Sequence, residues 1–282
     1  MQHDLLHRYI FEKLDARGEL VQIEQTFTEM LAGHNYPAPV KQLLGELLVS
    51  TCLLTATLKF EGDIAVQLQG DGPVKYAVIN GDNNQNMRGI ARVTGEVTKG
   101  GVSNLIGNGY MVITLTPVQG ERYQGVVPLT SDSLAECLEG YFKQSEQLST
   151  RMWIATDIEQ DRLKASGLLL QTLPVTNNKE KSADDFTHLE ALSNTIKEDE
   201  LLNLDAMTLL TRLYHEDNPE VFEPQPIKFQ CTCSRTKTMT ALINVGLEPL
   251  LEDIEKDGKV TISCHYCLKD YEFNESEIRG LF

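Results

Sequence analysis

Four cysteines near the C-terminal end offer the plainest chemistry in this sequence. They stand as Cys231-Thr232-Cys233 and Cys264-His265-Tyr266-Cys267, with thirty residues between the pairs. Two close pairs, one of them C-x-C, can close four thiolates around one ion, and Zn2+ accepts tetrahedral sulfur coordination with no further ligand. The same thiols can instead oxidise to two disulfides. Spacing alone favours zinc, and a static structural zinc before a regulatory one. His265 lies between ligands, but four thiolates already fill a tetrahedron. A thioredoxin-like role for Cys264-x-x-Cys267 requires the motif to open a helix after a strand, and residues 269–273 read as extended.

Nothing else competes with this set. Cys52 and Cys137 fall on apolar helical faces, where a buried, inert thiol is the default. His3, His7, His34, His188, His215 and His265 are scattered, and no serine, histidine and acid arrangement emerges. No catalytic residue is assigned, and the chain is not read as an enzyme.

Bulk properties narrow the function further. A chain of 282 residues has room for one large domain and a smaller one. Its 41% apolar and 23% charged content is that of a soluble globular protein. The net charge of −16 argues against a nucleic-acid partner, which needs a basic face. The N-terminus lacks the apolar centre of a signal peptide. The most apolar stretch, residues 43–56, is interrupted by Glu46 and is too short to span a bilayer. The expectation is a cytoplasmic protein with no membrane partner, where paired cysteines more often mean metal or redox chemistry than structural disulfides.

The elements that must position the cysteines follow from periodicity. Tyr9 to Phe11 read as a strand, residues 17–19 as a turn, and Val21 to Ile23 as more sheet. Thr26 is expected to cap a short helix ending at Gly33. Val40, Leu43, Leu44, Leu47, Leu48, Thr51, Leu54 and Leu58 keep helical spacing with apolar residues on more than one face, which predicts a long buried helix entered through Pro37 and Pro39. Alternation then predicts strands at residues 64–68, 74–79, 87–95, 110–116 and 122–127. The glycine-rich residues 100–109 lack both the phosphate-loop and the dinucleotide spacing and are expected to be a flexible loop. Ser131 is expected to cap a helix carrying Leu134, Cys137, Leu138, Tyr141 and Phe142. Two last strands, 151–158 and 163–173, are joined by a turn at Gln160-Asp161. Helices and strands mix without a βαβ rhythm, so the class is α+β. An N-terminal mixed β-sheet domain with packed helices, residues 1–176, precedes a helical acidic linker, 177–226, and a small four-cysteine zinc domain, 227–282.

The linker is distinctive. Residues 180–223 hold twelve acids against Lys181, Lys197 and Arg212, a net −9. A polar run at residues 177–183 reads as exposed chain. Phe186, Leu189, Leu192 and Ile196 then share one helical face, and residues 201–213 carry a second apolar set. This is an acidic helix with a face that must dock. Mutual repulsion of its carboxylates is expected to make the docking marginal, so neutralising Glu198 and Glu200 is expected to harden the closed state. The last module, of about fifty-five residues, has little core of its own and needs a metal or disulfides. Its expected order is helix 234–244, helix 247–255, strand 259–262, the second cysteine pair, an extended segment at 271–273, and a terminal helix capped by Asn274.

Taken together, these motifs resemble one family. Cys231-Thr232-Cys233-Ser234-Arg235, Gly246-Leu247-Glu248, and Cys264-His265-Tyr266-Cys267 followed by Tyr271 are similar to the zinc domain of the 33 kDa heat-shock proteins, redox-regulated holdase chaperones of bacteria. Arg17-Gly18-Glu19, Tyr36-Pro37, Leu44-Gly45-Glu46, Lys59-Phe60-Glu61-Gly62 and Gln69-Gly70-Asp71-Gly72-Pro73 extend the likeness over the whole chain. Thr236-Lys237 departs from the family's acidic-basic pair. The resemblance implies one Zn2+ per reduced chain, held by Cys231, Cys233, Cys264 and Cys267, in a protein inactive as a chaperone. It implies oxidation to the disulfides Cys231–Cys233 and Cys264–Cys267, release of zinc, and unfolding of the linker. The active form would be a homodimer that holds unfolding or aggregating client proteins without ATP during oxidative stress. Clients would then pass to the seventy-kilodalton heat-shock system. A thiol-disulfide oxidoreductase and a static structural-zinc adaptor are the alternatives.

Overall fold

Helix α2, Ala38–Thr57, is buried on almost every side and fixes the arrangement around it. Pro37 stands at its N-cap, where a missing backbone donor costs nothing. A helix enclosed this way must satisfy its own hydroxyls. Ser50, Thr51, Thr55 and Thr57 each donate to the carbonyl four residues back, at 2.7, 2.7, 2.6 and 2.8 Å. The expected long buried helix is therefore present, and Cys52 lies within it with no exposure.

Two sheets enclose α2 in the computed structural model, which describes residues 3–58, 60–159, 163–174 and 179–282. In the first, the hairpin β1 (Leu5–Phe11) and β2 (Ala16–Ile23) continues into β9 (Lys164–Thr172) and the edge strand β8 (Thr150–Asp157), all antiparallel. In the second, β3 (Gly62–Gly70), β4 (Val74–Asp82), β5 (Asn86–Val93), β6 (Gly109–Pro117) and β7 (Tyr123–Pro128) run in the order β5-β4-β3-β6-β7. The mixed α+β class is as the sequence indicates. The turn expected at Gln160-Asp161, and residues 177 and 178 of the polar run, lie outside the described residues.

The first sheet is buried on both faces, because successive side chains along a strand point to opposite sides. Leu6, Val21, Ile23, Ala165 and Leu169 join the core around α2. Tyr9, Phe11, Ala16, Leu20, Leu168 and Leu170 join a second core, whose other half is the linker. Gly18 opposes Tyr9 across the strands, and a Cβ there would lie 2.1 Å from the Tyr9 ring, so glycine is what lets that tyrosine fold over the sheet.

The linker forms α5 (Lys179–Ser193), α6 (Glu198–Asn203) and α7 (Ala206–Tyr214), and most of its apolar residues are buried, Met207 alone among those of residues 201–213 standing exposed. Phe186, Leu189, Leu201, Leu202, Leu209, Leu210, Leu213 and Tyr214 are buried against the sheet. Tyr214 sits 5.0 Å from Phe11 and 5.9 Å from Tyr9, ring centre to ring centre. Gln22 of β2 donates to the carbonyls of Leu201 and Leu204 at 3.1 and 2.7 Å, closing the end of α6. The leucines pack as a core, while Asp184, Glu198 and Asp199 are exposed on the outer side. After α7 the chain adds β10 (Glu220–Val221) and β11 (Gln225–Pro226) to β1, then β12 (Lys228–Phe229), parallel to β5. The first compact unit consequently runs Met1–Phe229, and the second Gln230–Phe282.

Six local expectations are corrected. Residues 17–19 lie within β2, and the turn before it falls at residues 12–15. Residues 179–183 belong to helix α5 rather than to open chain. Helix α1 is Gln25–Leu31, and Thr26 lies inside it. The carboxylate of Asp4 accepts from the backbone of Gln25 and Thr26 at 3.0 and 2.7 Å, doing the capping across the hairpin. The glycine-rich segment contains α3, Val102–Ile106, with Val102, Leu105 and Ile106 buried. Gly101 and Gly107 flank it at φ 90° and 73°, which is what those glycines supply. Ser133, not Ser131, is the N-cap of α4 (Leu134–Tyr141), while Ser131 bonds the Glu136 carboxylate. Finally, residues 201–213 are broken at Asp205, whose side chain caps α7 by accepting from Thr208 at 3.1 Å.

Glu19 of β2 is 2% exposed, and one of its carboxylate oxygens has no partner. Burial pushes its carboxyl up to about 7, against the pull of Arg17, the Thr57 hydroxyl beside it, and Arg8. The unfolded chain ionises first, near 4.5, so this group costs nothing below that pH. Its cost grows as pH rises and is complete above about 7. Glu19→Gln is expected to remove that slope, gaining on the order of 3 kcal/mol relative to the native chain between pH 4.5 and 8. Urea denaturation across this range measures it, and parallel stability curves would show that the carboxyl is not held neutral.

Candidate metal centre

The second unit is held by little apolar burial. Leu242, Leu250, Val260, Tyr271, Phe273 and Ile278 are its buried core. They come from α8 (Arg235–Ile243), α9 (Leu247–Asp257), the hairpin β13 (Val260–Ser263) and β14 (Asp270–Phe273), and α10 (Glu275–Arg279). Each element ends as its sequence dictates. Ser234 caps α8 by accepting from Lys237, Gly258 closes α9 at φ 76°, and Asn274 with Glu277 forms a capping box. Arg235 stacks 4.3 Å from the centre of the Phe273 ring and reaches Glu277 at 2.6 Å, tying α8 to the hairpin and to α10.

These ties bring the two cysteine pairs together. Cys231 and Cys233 lie in the irregular chain leading into α8. Cys264 and Cys267 lie in the turn of the hairpin, where Cys264 N–H donates to Lys269 O at 2.9 Å and Leu268 N–H to Cys264 O at 2.8 Å. Leu268 is left-handed at φ 56°, the bend that turns the chain back. Lys237 Nζ donates to Thr232 O at 3.0 Å and holds the C-x-C segment.

All four sulfurs lie within 4.8 Å of one another. Cys231 Sγ is 3.6 Å from Cys264 Sγ, and Cys233 Sγ is 3.4 Å from Cys267 Sγ. A regular tetrahedron of sulfurs about 2.3 Å from a central ion has edges of about 3.8 Å. The cluster therefore has the size of a tetrathiolate cage, and no pair is at disulfide distance, about 2.05 Å. Its donors, all soft thiols, suit zinc. Among the described residues this is the only group of histidine, cysteine or acid side chains placed to hold a metal. His265 is exposed and outside it, and Cys52 and Cys137 are buried elsewhere, Cys137 donating to Ser131 O at 3.7 Å.

Electrostatics shows what the cage would require. Burial opposes a thiolate at Cys233, but hydrogen bonds from Tyr271 and from the other cysteines outweigh it and bring this thiol down to about 7. Burial pushes Cys267 up to about 12, and the neighbouring sulfurs add to the shift, against a hydrogen bond from the Lys269 backbone. Burial likewise raises Cys231. Four negative sulfurs at these distances are compatible only with a cation among them. The Tyr271 hydroxyl donates to Cys233 Sγ at 3.2 Å, a contact that the cysteine spacing did not single out.

With this geometry, the comparisons with known proteins are decisive. The model of the Hsp33 protein family matches residues 4–274. The chain belongs to the Hsp33 family. A 33 kDa chaperonin of Pseudoalteromonas translucida (strain TAC 125) is 67% identical over 282 residues, covering 100% of both chains. One from Serratia proteamaculans (strain 568) is 52% identical over 281 residues, 99% of this chain and 95% of the relative. The crystal structure of the 33 kDa chaperonin of Thermotoga maritima, a heat shock protein 33 homologue, superposes with a TM-score of 0.85 at 25% identity, covering 99% of this chain and 98% of that one. Family membership makes this a chaperone-family protein. No helix among the described residues is long and apolar enough to cross a membrane.

Cys264→Ser is expected to abolish stoichiometric metal binding by the reduced chain. Chelation of the ion under reducing conditions is expected to unfold Gln230–Phe282 while leaving α2 protected. Metal analysis and amide hydrogen exchange read these outcomes, and a metal content unchanged by the substitution would count against the four-sulfur site.

Proposed function

We propose that this chain is a redox-regulated, ATP-independent holdase that binds unfolding proteins during oxidative stress and catalyses no reaction. One observation carries the reading: a four-sulfur cage, sized for one ion, follows directly in sequence on a linker whose large apolar face is buried on a sheet. The family's chaperone relatives support it.

In the reduced state Cys231, Cys233, Cys264 and Cys267 hold one Zn2+, which supplies positive charge that lets four thiolates coexist. Peroxide takes two electrons from each close pair. Cys231 and Cys233 form one Sγ–Sγ bond, Cys264 and Cys267 the other, and each peroxide is reduced to water or hydroxide. The sulfurs then no longer serve as thiolate ligands, the ion leaves, and the small unit loses most of its folding energy, about 10–16 kcal/mol in comparable zinc modules. Cys231 is two residues beyond β12, so disorder there frees the end of the linker. Undocking uncovers Tyr9, Phe11, Leu20, Leu168 and Leu170 on the sheet, together with the linker's own leucines, a surface for apolar client segments. The linker's net −9 keeps the opened form dispersed. Dimerisation of the oxidised form, hand-over to the seventy-kilodalton system after reduction, and a cytoplasmic location accompany this reading. An oxidoreductase is disfavoured because Cys264–Cys267 leads into β14 rather than a helix.

Peroxide with mild heat is expected to release zinc and confer suppression of client aggregation, followed by light scattering. Equal suppression by the reduced, zinc-loaded chain would sink the switch. Trp153 is the sole tryptophan, and its indole donates to Asn194 Oδ1 at 3.1 Å, so undocking should shift its emission to the red in step with activation.

The linker acids require a changed expectation. Glu200 accepts from the Lys197 backbone at 3.2 Å and pairs with Arg212 at 2.8 Å, so it holds α6 and α7 together. Neutralising it should loosen the closed state. Glu200→Ala is expected to cost about 1 kcal/mol of docking and raise the open population about five-fold. Protease sensitivity of the reduced linker measures this, with slower cleavage as the contrary result.

A further inference from the structure

Tyr271 stands one strand away from the cage, in β14 opposite Ile262 of β13. Its ring belongs to the unit's small core, 8% exposed, with Lys269 Nζ 5.4 Å from the ring centre. Packing and the cation fix the ring, so the hydroxyl is held 3.2 Å from Cys233 Sγ. The backbone donors to two of the other sulfurs are of a different kind. Cys231 receives a backbone hydrogen bond from Cys233, and Cys267 one from Lys269. Those follow automatically from the C-x-C and turn backbones and survive almost any substitution. The contact to Cys233 depends on a single side-chain oxygen.

We infer that Tyr271 is a positioning residue of the metal centre, whose hydroxyl donates to the metal-bound Cys233 thiolate and thereby sets how firmly the ion is held. The inference rests on the reading of the four cysteines as a zinc site and adds to it. A hydrogen bond to a ligating thiolate withdraws electron density from sulfur, eases repulsion among four negative ligands, and fixes the orientation of the Cys233 side chain. Without the hydroxyl, a partly buried thiolate loses its polar partner while the ring still fills the core. Through this contact the tyrosine tunes the threshold at which the cage gives up its ion, and it does so without being a ligand.

The test uses the reduced full-length chain, stripped of metal and reloaded with Co2+, comparing native protein with Tyr271→Phe. Competition against a chromophoric chelator should show about ten-fold weaker binding in the variant. The sulfur-to-cobalt charge-transfer band should move to lower energy, while the ligand-field bands of a tetrahedral four-sulfur site persist. A purely structural tyrosine would not move the charge-transfer band of an intact site. Should Tyr271→Phe lose the ligand-field bands altogether, 3-fluorotyrosine at position 271 decides. It is a stronger donor of nearly the same volume, and it should tighten binding and move the band to higher energy. Equal affinity with an unmoved band, in whichever variant keeps the tetrahedral spectrum, overturns the role of Tyr271 and leaves the metal site standing. Native protein that binds no Co2+ overturns both.

Discussion

Mutual repulsion of four sulfurs within 4.8 Å is the constraint on which the second unit depends. The hairpin turn and the chain entering α8 hold the cysteines closer than charged sulfurs tolerate, and six buried apolar side chains are too few to enforce such an arrangement. On the proposed reading, a bound cation would turn the repulsion into attraction and make the cage the strongest element of its own fold. The same arrangement would make the unit fragile toward any chemistry that consumes thiolates. Stability and sensitivity would then have one cause, and groups that touch the cysteines, as the Tyr271 hydroxyl does, would be the place to vary them.

A second constraint acts in the first unit. A sheet with leucine, tyrosine and phenylalanine on both faces must be covered on both. Helix α2 covers one face permanently, because it is enclosed by a second sheet as well. The other face is covered by acidic linker helices whose continuation along the chain is the four-cysteine unit. The pairing of Tyr214 with Tyr9 and Phe11, and the closure of α6 by Gln22, show a face built to be covered well.

Much of the architecture was legible because it is written in short-range patterns. Apolar spacing located α2 and the five longer strands of the second sheet, and a polar cap located α10. The misreadings share one physical origin, a partner distant in sequence. Thr26 looked like a cap, but the carboxylate that caps α1 comes from Asp4, beyond a hairpin. The glycine-rich segment looked open, yet Val102, Leu105 and Ile106 find a core to enter. The two-residue strands β10, β11 and β12 carry no periodicity at all and exist only because β1 and β5 present free edges. Glu200 counted as one more repelling acid until Arg212 and the Lys197 backbone were found beside it.

By itself the sequence singled out the four cysteines, since thiols in two close pairs are a local matter of residue type and spacing. It also determined the amphipathic, acidic character of the linker and the family to which the chain belongs. Only the tertiary structure decided that the two pairs, thirty residues apart, meet as a tetrahedron-sized cage. It also decided which hydroxyl reaches Cys233, and that the linker's leucines lie on the first sheet rather than in solvent. The reason is the same in each case. A side chain's type is carried by its own position, whereas its partner is chosen by packing, and packing is a property of residues far apart along the chain.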